Sequence, residues 1–87
     1  MNAEDRLIDA GYDGIKYLTN YSYDDALIGV SEDGRAIYDF DKMVEWLMNE
    51  VGLSDSEAVE WIEYNTIRAL SYFGEGAPII MYPLYAE

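Results

Sequence analysis

The stretch ALIGVSEDGRAIY, residues 26–38, decides the fold. Ala26-Leu27-Ile28-Gly29-Val30 reads as one strand and Arg35-Ala36-Ile37-Tyr38 as the strand returning beside it, because both are short apolar runs bounded by turn residues. Glu32-Asp33-Gly34 supplies the turn, since glycine takes a positive φ without steric cost. A β-hairpin is therefore expected, turning at Glu32–Gly34.

Two helices are expected downstream. Asp39 or Asp41 can cap the first by accepting a backbone N–H. Phe40, Met43, Val44, Leu47, Met48 and Val51 recur at three- and four-residue spacing and predict one buried stripe, ended by Gly52. The second helix is predicted over residues 54–73. Ser54-Asp55-Ser56-Glu57 is a capping box, Ala58, Val59, Ile62, Thr66, Ala69, Leu70 and Phe73 form the buried stripe, and Gly74 ends it. The short connection predicts an αα-hairpin. Residues 77–82 then read as a strand flanked by Pro78 and Pro83. Upstream, Asn2–Ala10 predicts a short helix stopped by Gly11. Residues 12–24 read as a loop with a short extended or helical piece at Ile15–Leu18. The expectation is one α+β domain, its helices packed on a small antiparallel sheet.

Charge limits the partners. Eighteen Asp and Glu against five Lys and Arg give a formal net charge of −13. Phosphate binding rests on Lys and Arg, so nucleic acid and anionic membrane are both poor ligands for this chain. Basic protein surfaces are the favoured partners, including those that ordinarily hold nucleic acid. Acidity that only confers solubility is the competing explanation, although this charge exceeds the ~2–8 usual for a small domain. No basic-then-apolar leader and no apolar run of membrane-spanning length is visible. A cysteine-free chain also fits a reducing cytoplasm.

The residues for most enzyme chemistry are missing. There is no His or Cys, so Ser and Thr lack the usual activating base and zinc lacks its usual ligands. Asp24-Asp25 and Asp39-Phe40-Asp41 are the groupings a hard cation would use, but Asp39 and Asp41 are better explained as helix caps. Neither an enzyme nor a metal or cofactor is expected.

Two acidic groups are the candidate partner-binding residues. Glu57, Glu60, Glu63 and Tyr64 fall opposite the apolar stripe of the second helix, at a spacing similar to that of successive phosphates. Asp24, Asp25, Glu32 and Asp33 form the other group, at the base and tip of the hairpin. An exposed helix ordinarily mixes signs, whereas this face is nearly all acid; Asp41, Glu45 and Glu50 add acid to the first helix. Nine tyrosines in 87 residues give a second signal. Tyr12, Tyr17, Tyr21 and Tyr23 crowd one loop and suit an interface, while Tyr38, Tyr72 and Tyr82 are expected to pad the core's rim. Trp46 and Trp61, off the tidiest stripes, are read as core edges.

The run EWIEYNTIRAL at residues 60–70, followed by Tyr72, Gly74 and Ala77-Pro78-Ile79-Ile80, resembles small proteins of phages and mobile elements of Gram-positive bacteria. The resemblance extends to Lys42–Leu47 and covers about half the chain. It carries no activity over, but it implies a setting in which small acidic proteins block host defence, as anti-CRISPR and anti-restriction nucleic-acid mimics do. The leading expectation is an inhibitor that fills a basic nucleic-acid channel on a host nuclease such as a CRISPR effector. The alternative is a non-enzymatic adaptor binding through Tyr-rich and apolar surface. A homodimer through a sheet edge is left open.

Overall fold

The computed structural model describes residues 2–85. Helix α1 spans Ala3–Asp9, strand β1 Leu27–Val30 and strand β2 Ala36–Asp39; helix α2 begins at Phe40, helix α3 at Asp55, and strand β3 spans Ile79–Met81. The α+β expectation holds.

The hairpin forms where the sequence places it. The Gly34 N–H donates to Ser31 O at 2.9 Å, and Gly34 has φ of 81°. Ser31 Oγ accepts from Arg35 N at 3.0 Å and donates to the Asp33 carboxylate. β1 pairs antiparallel with β2, with an irregularity between Leu27 and Gly29.

The sheet corrects one expectation. Its order is β1-β2-β3, and β3 runs parallel to β2, with Ile37 opposite Ile79 and Asp39 opposite Met81. The sheet is therefore mixed and not purely antiparallel. Arg35 Nε donates to Ala77 O at 2.7 Å. That bond joins the residue just before β2 to the approach to β3, so both strands start from the same end. Parallel neighbours need a crossover connection, and α2 and α3 supply it.

α2 is α-helical over Phe40–Trp46 and continues as a π turn over Leu47–Val51; α3 is α-helical over Asp55–Trp61, π-helical over Ile62–Ile67 and ends as a 3₁₀ turn at Leu70–Phe73. The expected helix at 54–73 is thus continuous but changes pitch. In a π turn each hydrogen-bonded loop holds one extra residue. Leu47 is fully buried while Met48 and Val51 are exposed, contrary to the stripe the spacing predicts; the lag behind the 3.6-residue period grows along the turn and is largest at Val51. The stripe of α3 is buried at Ala58, Ile62 and Thr66, while Val59, Ala69, Leu70 and Phe73 are only half-buried.

Tyr23, Tyr38, Met43, Leu47, Ile62 and Pro78 are the largest fully buried side chains. Tyr21 and Tyr23 also correct the sequence reading. Both adopt left-handed backbone, φ 74° and 48°, and both turn their rings inward. Tyr21 packs on Trp46 and Trp61 with ring centroids 5.9 and 5.2 Å away, and Tyr23 on Trp46 at 5.4 Å. The Tyr23 hydroxyl meets Thr66 Oγ1 at 2.8 Å. Aromatic burial outweighs the cost of a strained φ here. Trp46 and Trp61 are core edges, as expected. Tyr38 lies inside the core with its hydroxyl accepting from Leu18 N at 3.0 Å, and burial pushes its pKa up to about 12. Tyr72 is no rim residue, being 91% exposed. Beyond β3 the chain returns to the start of α2, where Tyr82 stacks near Phe40 at 4.7 Å and Tyr85 donates to Asp41.

Candidate functional site

The acidic surface begins with where the cations go. Arg6 Nη1 donates to Asp24 O, Arg35 Nε to Ala77 O, and Lys16 Nζ to Phe73 O and Glu75 O at 2.5 and 2.6 Å. Lys16 thereby ties the N-terminal loop to the carbonyl end of α3, where a cation is favoured. Arg68 lies over the Tyr64 ring, 5.1 Å from its centroid. Four of the five cations are thus engaged with carbonyls or an aromatic face. Of the described carboxylate residues, all but Asp24 and Asp39 are exposed.

The α3 group assembles largely as expected. Glu57, Glu60 and Tyr64 line a hollow of about 390 Å³ together with Leu53, Trp61 and Asn65. Positions 57, 60, 61 and 64 meet because residues three and four apart are neighbours on a helix. Glu63 is exposed but is not part of this lining. The Ser54–Glu57 capping box is formed: Ser54 N donates to Glu57 Oε1 at 3.0 Å, and Glu57 N to Ser54 Oγ at 3.2 Å. The Ser54 backbone N–H, then its hydroxyl, hold the Glu57 pKa below its ordinary value, so this carboxylate is charged at neutral pH. Among the described residues Trp61 Nε1 is a buried side-chain polar atom without a hydrogen-bond partner.

The hairpin group does not assemble. Asp24 is half-buried, and its Oδ1 accepts from Ala3 N at 2.8 Å, which anchors the start of α1. Asp25 faces α2 instead, in a hollow of about 240 Å³ with Lys42, Glu45, Trp46, Asn49 and Glu50. Glu32 and Asp33 sit beyond the far end of β1. Asp33 shares a hollow with Gly14, Lys16, Arg35 and Glu75. The two pairs lie at the base and the tip of the hairpin, where the sequence places them, and β1, rising ~3.3 Å per residue, keeps them apart.

A further hollow of about 290 Å³ has a more apolar lining. It is formed by Leu18, Thr19, Asn20, Tyr23, Asn65, Thr66, Ala69, Tyr72 and Phe73. It lies where the Tyr23 loop meets the π turn of α3, and nothing in the spacing of these residues announces it. Among the described residues no group of three or more carboxylates is placed to hold a metal ion, and no helix is long and apolar enough to cross a membrane.

Comparison of the chain with protein families, with curated proteins and with solved structures gives no match.

Proposed function

We propose that this protein is a non-enzymatic inhibitor that acts in the bacterial cytoplasm by occupying a basic, nucleic-acid-binding surface of another protein. A phage-encoded blocker of a host defence nuclease such as a CRISPR effector is the setting that fits best. One observation carries the reading. Arg6, Lys16 and Arg35 are turned to backbone carbonyls and away from the carboxylates, and the carboxylates behind the formal charge of −13 are, among the described residues, all exposed but Asp24 and Asp39. Such a surface repels itself and attracts a basic groove. Glu60, Glu63 and Tyr64 on α3 are the contact residues of choice. Glu57 joins them while also serving the helix cap, and Asp25 with Glu45 and Glu50 offers a second acidic area.

The test is competition. The protein should displace nucleic acid from a basic nuclease, more weakly as salt rises from ~50 to ~200 mM. Glu60→Lys with Glu63→Lys should abolish displacement while the melting temperature stays near wild type, since both positions are exposed and such changes cost little. Simultaneous binding of protein and nucleic acid to the nuclease would sink this reading. The adaptor reading would then lead, on a surface that keeps the exposed Tyr12 of the sequence reading but loses two of its tyrosines. Tyr21 and Tyr23 are packed inside, whereas Tyr72 stands exposed at the edge of the more apolar hollow.

A further inference from the structure

We infer that the α3 hollow lined by Leu53, Glu57, Glu60, Trp61, Tyr64 and Asn65 is a receptor for an arginine side chain of a basic partner. The inference rests on the proposed function and names the group that the acidic face takes up.

Three hollows carry the acidic residues, and they differ in one respect. The hollow beside α2 already contains Lys42, and the one at the hairpin tip contains Lys16 and Arg35. The α3 hollow has two carboxylates and no cation in its lining. It is also the one walled by two aromatic rings. Leu53 and Trp61 offer apolar surface to the stem of a long side chain. Tyr64, 55% exposed, offers a ring face. Glu57 and Glu60 supply the charge, and Glu57 is held ionised by its bonds to Ser54. Arg68 lies over one face of the Tyr64 ring, 5.1 Å from its centroid, so an incoming guanidinium takes the other face or displaces Arg68.

Arginine fits this combination better than lysine. Its planar guanidinium stacks on aromatic rings, forks onto carboxylates and is weakly hydrated, whereas an ammonium is a strongly hydrated point charge. A surface selective for arginine would also discriminate among basic partners, which a diffuse negative field does not do.

The experiment compares two short peptides of equal length and charge, one carrying arginines and the other lysines. They are titrated into the intact protein at low salt with backbone amide resonances as the readout. The arginine peptide should bind about three- to fivefold more tightly, with shifts centred on Leu53, Glu60 and Tyr64. Tyr64→Leu should weaken the arginine peptide more than the lysine peptide and so erase that preference, and Glu60→Gln should weaken both. Equal affinities, shifts centred on Asp25 and Glu45, or a preference that survives Tyr64→Leu would each overturn the pocket. Displacement of nucleic acid without arginine preference removes the pocket and leaves the inhibitor. Arginine preference without displacement does the reverse.

Discussion

Glu57 performs two tasks with one carboxylate: Oε1 closes the capping box on Ser54 N, and the side chain also lines the α3 hollow. The two tasks are separable by substitution. Ser54→Ala removes the hydroxyl that accepts from Glu57 N and should cost about 1 kcal/mol of stability in denaturant unfolding, with affinity for a basic partner unchanged. The charge on Glu57 has its own pH signature. Its folded pKa lies below the unfolded value because Ser54 bonds the ionised form. The resulting stabilisation is present above the unfolded pKa and is lost as pH falls through the folded one. Glu57→Gln keeps a side chain able to close the box. Its stability deficit against wild type should therefore shrink as pH drops from neutral to ~3, measured by urea unfolding at each pH. This cap was legible in the sequence because all its partners lie within four residues. The burial of Tyr23 was not: its hydroxyl partner, Thr66, lies far along the chain, and its positive φ belongs to a conformation that tyrosine seldom adopts.

At the scale of the element, the last turn of α2 departs from the stripe that spacing predicts. Leu47 is fully buried and Met48 is 40% exposed, although both belong to the apolar stripe that α-helical spacing predicts. Leu47→Ala should cost about 2–5 kcal/mol in denaturant unfolding, whereas Met48→Gln should change stability by no more than about 0.5 kcal/mol. Similar losses at both positions would mean that Met48 is packed in the core as the spacing predicts. The hairpin turn at Asp33-Gly34 and both helix starts could be read directly, because turn and cap chemistry is local. The direction of β3 could not. Parallel and antiparallel pairing place the same apolar residues in the sheet, and the deciding bond, Arg35 to Ala77, joins distant positions. The α3 half of the candidate site was legible for the same local reason, since helical spacing alone gathers Glu57, Glu60 and Tyr64. Trp61 and Asn65 join the same face by the same spacing, and Leu53, from the connection before α3, completes the hollow.

The whole molecule carries its charge at an energetic cost. With so many exposed carboxylates and most cations turned toward carbonyls, like-charge repulsion should weaken the free protein at low ionic strength. Its melting temperature should rise between ~10 and ~150 mM salt as screening sets in; a flat response would show the charges too dispersed to repel. The parallel pairing of β2 with β3 has a consequence during synthesis. β2 is the middle strand, and its second neighbour is specified much later in the chain, Ile37 waiting for Ile79. At ~5–20 residues per second the ribosome leaves that edge bare for roughly 2–8 s. A bare strand edge invites pairing with another nascent chain. On a polysome, the same negative charge that costs the finished protein stability holds neighbouring copies apart until β3 arrives.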